Sequence, residues 1–454
     1  MSKPTSQQTA KSTVPGPSGV AMLGRLRRLL TEDTASLLLD TRRRYGPIVE
    51  LSLPGENNAY LFSDPEYIQQ VLESNQGNYR KSDVYHNELA RIFGQGLLTS
   101  EGERWMRQHR LIRPMFRSDT VRSFAELVVE ETDAMVQRWA ERDEPIELLR
   151  EMERVTLLII GKAMFSTDME THANDIAASL RVMRRSFQRR TSVLPTIPEW
   201  VPTPHNRRAS AALEELNGIV YDLIEERRGE TDKYDDLLSA LMAARDEKGE
   251  RMADEQLRDE LMTFLLAGHE TTAAALTWTW YLLARNPEIH EELHKRVSGA
   301  SAGAFSLDGD GPSYVTQCVQ EAMRIYPPVP VFSRKAIAGD VIGGYEIPAG
   351  SELIMSQYVV HRDPELWSTP TAFRPERFAA GTEMERPRYS YFPFGGGARM
   401  CIGRQFALME AQLVLSRAVA RYRLDLQSPT IEPGVSSAVT MVPDEPLEMH
   451  ITNW

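Results

Sequence analysis

For a chain of 454 residues, cysteine is scarce: Cys318 and Cys401 are the whole complement. Two thiols exclude a disulfide framework and a four-ligand zinc site, and they suit a reducing compartment such as the cytoplasm. Long runs of like charge are also missing. Acidic residues outnumber Lys and Arg by 64 to 52, a net charge of -12 that argues against a general nucleic-acid binder. The first thirteen residues, MSKPTSQQTAKST, hold no apolar core for a signal peptide or membrane anchor and read as a disordered tail. There is no internal repeat, no Gly-rich dinucleotide loop, no flavin segment and no second cysteine cluster. A chain this long exceeds an ordinary single core, so two lobes or a core wrapped around a cofactor are expected.

What is present is concentrated first in Phe394-Gly-Gly-Gly-Ala-Arg-Met-Cys-Ile-Gly403. Its glycines permit a tight turn and a close approach to a flat cofactor. Cys401 heads a helix-like run, Arg404 to Tyr422, with Arg399 nearby, and both features bias a thiol toward the thiolate that binds metal. One thiolate offered alone suits the axial position of a haem, whose in-plane ligands come from the porphyrin. A second concentration lies in the longest predicted helix. Asp254 reads as its N-cap, apolar residues recur at Leu257, Leu261, Phe264, Leu265, Gly268 and Ala275, and Asn286-Pro287 stops it after Arg285. Ala267-Gly-His-Glu-Thr-Thr272 interrupts that helix with an acid and two threonines, which cost desolvation and gain no packing. Gly268 costs about 1 kcal/mol more against Ala. Locally unfavourable choices of this kind mark functional sites.

The remainder reads as mainly α with a smaller β region at about 46–63 and 329–360. A helix is expected from Leu26 to Tyr45, then a hairpin of Ile48–Leu53 and Ala59–Phe62 around Pro54–Asn58. Helices fill 121–190, and prolines at 195, 198, 202 and 204 break the pattern between Ser186 and His205. Val341–Ile347 and Leu353–Met355 read as strands, Leu408–Ala420 as a helix, and Cys318 as a small core residue.

Phe394-x-x-Gly397-x-Arg399-x-Cys401-x-Gly403 resembles the haem-binding signature of the cytochrome P450 superfamily. Ala267–Thr272, Glu321-x-x-Arg324 and Phe373-Arg-Pro-Glu-Arg-Phe378 resemble three further family motifs in the family's order. The likeness covers the chain from about residue 14 and is nearest the soluble bacterial, long-type members of the fatty-acid hydroxylase or eukaryotic-like branch. It implies the P450 fold as one domain over 14–454, with haem b (iron protoporphyrin IX) between the long central helix and the cysteine-loop helix. It makes Cys401 the iron ligand and Glu270 and Thr271 the acid–alcohol pair that steers protons during O2 activation, with Gly268 thinning the helix beside the cofactor. Trp105, His109, Arg334 and Arg399 become propionate partners, and Phe394 and Gly403 belong to the haem loop. His109 stands where many relatives carry Arg, which makes that charge pH-sensitive. Leu98, Phe264, Ala267, Val329 and Val331 are expected along the substrate pocket, and Glu321, Arg324 and Arg377 as a structural charge network.

The same resemblance implies a cytoplasmic monooxygenase without a membrane anchor, acting on a lipophilic small molecule with O2 and electrons from a separate ferredoxin or flavodoxin. Arg104, Arg107, Arg110, Arg113 and Arg117 read as its basic dock. Arg181, Arg184, Arg185, Arg189 and Arg190 read as a solvated helix end, or as attraction for a substrate carboxylate. Fatty-acid hydroxylases of this kind anchor a carboxylate with an Arg, followed by a Tyr, in the first hairpin; here those positions align with Glu56 and Tyr60. A peroxide-using or isomerising haem-thiolate enzyme and a non-catalytic haem sensor are the alternatives. The retained acid–threonine pair argues against the first, and the lack of a signalling or DNA-binding segment against the second.

Overall fold

The computed structural model describes residues 13–17, 33–51, 58–190, 197–198, 200–229, 233–245, 249, 251–298, 313–382, 386–428, 430, 432–437 and 439–454. In chain order the elements that position the site are α1 (Thr34–Tyr45), β1 (Ile48–Glu50), β2 (Ala59–Phe62), β3 (Tyr79–Lys81), α2 (Gly102–Ile112) and α3 (Leu148–Phe165). They continue with α4 (Ala173–Arg190), α5 (Asp254–Arg285), α6 (Tyr314–Ile325), β4 (Phe332–Ala336), β5 (Glu352–Met355) and α7 (Arg404–Val419). Helix dominates, as the periodicity requires. Of the expected first helix, residues 26–32 lie outside the described residues, as do 52–57 of the first turn, with Glu56.

The strands form one five-stranded sheet in the order β1-β2-β5-β4-β3. β2 and β5 run parallel, with Tyr60 opposite Leu353, and the other pairs are antiparallel. β3 was not legible because three residues are too few to show an alternating pattern. Its register places Lys81 opposite Arg334. The single strand expected at Val341–Ile347 is instead a hairpin of Asp340–Ile342 and Tyr345–Ile347, because Gly343 and Gly344 take φ of 58° and 82° and reverse the chain.

The 32-residue α5 runs about 48 Å at about 1.5 Å per residue. It begins one residue earlier than an Asp254 cap would place it. Ala253 occupies the cap without a side-chain bond, and Asp254 is the first helical residue, paired with Arg228. Its carboxylate there favours the positive end of the helix. Leu261, Leu265, Leu276, Trp278, Trp280 and Leu283 are fully buried around most of its circumference. At roughly 1.5–3 kcal/mol for each large apolar side chain buried, packing outweighs the cost of Gly268 severalfold. α3 packs along α5. A Cβ on Gly268 would lie 3.0 Å from Ile160 Cδ1 of α3. The missing side chain therefore serves the approach of α3 as well as thinning α5.

Candidate active site

Three constraints shape the cysteine loop. Gly397 takes φ +64°, and a Cβ there would sit 1.8 Å from the Leu72 carbonyl oxygen, so the position requires glycine. The Cys401 N–H donates to the Phe394 carbonyl at 2.9 Å and closes the loop. Ahead of it, the buried His361 accepts the Phe392 N–H on Nε2 at 3.0 Å. Burial, helped by Arg324 and Arg362, keeps that imidazole neutral and so able to accept.

Cys401 is exposed to an internal cavity while protein encloses it on every other side. Burial pushes its thiol up from the ordinary value, and the Gly403 N–H and Arg404 pull the other way without prevailing. The expected thiolate bias from Arg399 is therefore corrected. Arg399 stacks its guanidinium 3.8 Å from the Trp105 ring centroid and donates to the Ser100 carbonyl at 3.1 Å. A metal would have to supply the deprotonation, as a bound cation does for a coordinating thiol.

The cavity contains about 1690 Å³ of non-atom space, part of it continuous with solvent. α5 contributes Phe264, Ala267, Gly268 and Thr271, and Leu98 and Val329 enter from neighbouring loops. Phe394, Cys401 and Gly403 come from the cysteine loop. Val331 does not join them. A bend at Pro328–Val329 shifts the alternation, so Phe332 and Arg334 of β4 face the cavity and Val331 packs against the Leu38–Val49–Leu61 cluster.

Lys81, Trp105, His109, Arg334 and Arg399 share one part of the lining. The Trp105 and His109 rings stack at 4.8 Å between centroids. Burial, with Arg113 and Arg399, lowers the His109 pKa, so the charge change expected there moves toward acid. Lys81 escaped sequence reasoning, since nothing local marks the end of so short a strand. Its Nζ donates to the carbonyls of Leu97, Leu98 and Ser100. Burial, together with Arg399 and Arg334, drives its pKa down to about 6 against the pull of Glu101 and Glu260. Burial likewise brings Arg399 down to about 10, with Glu101 opposing and Arg334 adding to the shift. Cations crowded this closely call for an anionic ligand.

Those features fit a haem. Cys401 offers the single thiol, Arg334 and Arg399 offer charge to propionates, an anion there would raise Lys81 back toward its charged form, and Trp105 holds Arg399 in place. The rest of the wall is largely apolar. Among the described residues no three His, Cys, Asp or Glu side chains converge as a metal site, so an iron held by Cys401 would need the cofactor itself to supply its remaining ligands.

On α5 the polar residues divide between two faces. The Thr271 hydroxyl donates to the Ala267 carbonyl at 2.8 Å and Thr272 to Gly268 at 3.2 Å, and both threonines line the cavity. Glu270 is not among the lining residues. Its Oε1 accepts from Arg184 Nη1 of α4 at 2.9 Å. Arg184, expected at a solvated helix end, turns inward because this buried carboxylate pairs with it. His269 is buried with Nδ1 2.6 Å from the Leu265 carbonyl, and burial lowers its pKa. Glu410 of α7 was also missed. It is buried against Thr272, and burial holds its carboxyl well above the usual range, with Thr272 opposing the rise.

The Glu321, Arg324 and Arg377 side chains meet behind the loop. Arg324 forks onto Glu321 at 2.7 and 2.8 Å, and Arg377 Nε reaches the same carboxylate at 3.1 Å. Arg324 also donates to the carbonyls of His361, Pro370 and Ala372.

A family model for Cytochrome P450 matches residues 14–449. Cyclooctatin synthase of Streptomyces melanosporofaciens is 35% identical over 449 residues, 97% of this chain and 96% of the relative. Cyclooctat-9-en-7-ol 5-monooxygenase of the same organism is 32% identical over 427 residues, 93% and 91% of the two chains. The crystal structure of the cytochrome P450DA heme domain superposes with a TM-score of 0.85 at 26% identity, covering 98% of each chain.

Proposed function

Since the chain belongs to the cytochrome P450 family and is an oxidoreductase of its monooxygenase kind, we propose that it oxygenates a cyclic, terpenoid-like alkene or alkenol by hydroxylation or epoxidation. When bound, a haem held by Cys401 supplies reductive activation of O2 and transfer of one oxygen atom. We take it as haem b, in a single domain spanning 14–454.

The substrate reading rests on the cavity wall: Leu97, Leu98, Phe264, Ala267, Val329 and Phe332 are apolar, and the Thr263 hydroxyl is turned back onto the Asp259 carbonyl at 2.7 Å. Among the described residues the Lys and Arg side chains of the lining are Lys81, Arg334 and Arg399, the group assigned to propionates. Tyr60, aligned with the Tyr that follows the carboxylate-anchoring Arg of fatty-acid hydroxylases, is buried in β2 and absent from the lining. A relative named for oxygenating cyclooctat-9-en-7-ol supports the same class. Titrating the purified protein with cyclic alkenols should give a low-to-high spin optical shift that long-chain fatty acids do not give. The reverse preference would overturn this reading.

The apolar side chains orient the substrate and exclude water. Thr271 spends its proton on Ala267, leaving oxygen lone pairs to accept a hydrogen bond from the cavity. Glu270 next to it is the acid that replenishes protons once it leaves Arg184. Thr271→Ala should lower product formed per electron by up to about 100-fold, within the range of general acid–base groups. Peroxide should make up the deficit. Full coupling in that variant would count against the relay.

Electrons arrive, in this reading, from an acidic ferredoxin or flavodoxin on the exposed face of α2 and the turn after it. Arg104, Arg107, Arg110, Arg113 and Arg117 are all exposed there, on a protein that is acidic overall. Arg110→Glu should raise the donor KM about tenfold at low salt, with the difference shrinking as salt screens the pair. An unchanged KM would remove the dock.

A further inference from the structure

Glu270 poses a geometric problem for the function proposed above. Its neighbour Thr271 faces the cavity, but its own carboxylate is held on the other side of α5 by Arg184. The hold is shared. The same Arg184 Nη1 that donates to Glu270 Oε1 at 2.9 Å lies 3.4 Å from Glu153 Oε1 of α3. All three side chains are largely buried, at 13% exposure for Arg184, 4% for Glu153 and 9% for Glu270. One guanidinium nitrogen thus serves two carboxylates on two helices.

We propose that Glu153 is a positioning residue for proton delivery: by competing for Arg184 Nη1, it determines how readily the Glu270 carboxylate is released toward Thr271 and the cavity. The proposal rests on the reading of Glu270 as the proton-supplying acid. Its physical basis is the charge count. With both carboxylates ionised, a buried cluster of two anions and one cation carries an unmatched negative charge, and Arg184 divides its attraction between them. With Glu153 protonated, Arg184 and Glu270 form a one-to-one pair and Glu270 is held.

The groups facing Glu153 keep this balance near neutrality. Burial raises its carboxyl to about 7, Arg184 and Arg181 of α4 oppose the rise, and Glu270 of α5 and Glu147 before α3 add to it. His269, the other titratable group of this stretch of α5, has its pKa lowered by burial. Burial disfavours the charge on Arg184, yet Glu270 and Glu153 outweigh it and keep the guanidinium protonated. As pH rises through about 7, Glu153 ionises, draws Arg184 toward α3 and loosens Glu270.

The test uses the haem-loaded protein with substrate and donor, comparing wild type, Glu153→Gln, Glu270→Gln and Arg184→Gln. Product per electron in the wild type should rise severalfold from roughly pH 6 to roughly pH 8, one unit either side of the Glu153 midpoint. Glu153→Gln, always neutral, should stay at the low-pH value across that range. Arg184→Gln should lose the pH dependence at the higher value. Independently of turnover, infrared difference spectra of the resting protein should show a protonated carboxyl band that titrates near neutrality. The component centred near pH 7 should be lost in Glu153→Gln and kept in Glu270→Gln, while the component from Glu260, which burial raises to about 8, persists in both. A Glu153→Gln variant with the wild-type pH profile, or with the component near pH 7 intact, would overturn the proposal alone. A Glu270→Gln variant that remains fully coupled would overturn the proton-supply reading and this inference with it.

Discussion

Cys401→Ser should abolish the carbonyl-complex Soret band that thiolate ligation produces. The effect is expected to be complete, because Cys318, the second cysteine, cannot substitute. Cys318 is fully buried on α6, and burial drives its thiol above the range in which it titrates in water. A serine hydroxyl is far less acidic than a thiol and does not give the soft anionic sulfur the metal would bind. Monooxygenase turnover should vanish with the band. Far-ultraviolet circular dichroism should be retained, since the Cys401 N–H bond to Phe394 and the positive φ of Gly397 involve backbone that serine leaves unchanged. A Soret band of wild-type position in the serine variant would mean that Cys401 is not the ligand.

Glu321→Gln should be among the costliest single changes outside the site. Glu321 and Arg324 are both 0% exposed, and Arg377 is 10% exposed. Removing one partner of a buried ion pair leaves an uncompensated charge and costs about 3–5 kcal/mol. An isolated surface pair would cost about 0–1 kcal/mol, so the size of the loss distinguishes the two cases. Glutamine keeps an acceptor of similar shape, so a large loss would be electrostatic rather than a packing effect. Arg324→Met should cost more than Arg377→Met, because it also strands the carbonyls of His361, Pro370 and Ala372. Those carbonyls flank the segment leading to the cysteine loop, so weaker haem retention should accompany the lower denaturant midpoint. A loss below about 1 kcal/mol for Glu321→Gln would show that the network is not a lock.

Features encoded in local pattern were legible, and features made by distant chain crossings were not. The ends of α5 were readable to within a residue, because the Asp254 region and Asn286-Pro287 bracket an apolar periodicity that tertiary packing reinforces. The spacing of Glu321 and Arg324 put them on one helix face, and their fork is seen in the structure. Arg184 could not be assigned from its own helix. It lies in an arginine-rich stretch of α4, and only the crossing of α3 and α5 gives it two buried carboxylates. Lys81 and Glu410 escaped for the same reason: their partners are distant in the chain. Val331 was placed in the pocket by the resemblance alone, and the bend at Pro328–Val329 turns it onto the Leu38–Val49–Leu61 cluster instead. The thiolate bias of Cys401 was overestimated because a loop sequence reveals neighbouring charge but not burial, and burial dominates here.

The most direct test of the monooxygenase account is the fate of oxygen. Purified protein, a cyclic alkenol that gives the spin shift, a ferredoxin with its reductase and isotopically labelled O2 should yield product carrying one labelled oxygen atom per turnover. The other atom should appear in water. Product whose new oxygen comes from solvent, or an isomerised product with no added oxygen, would contradict the account.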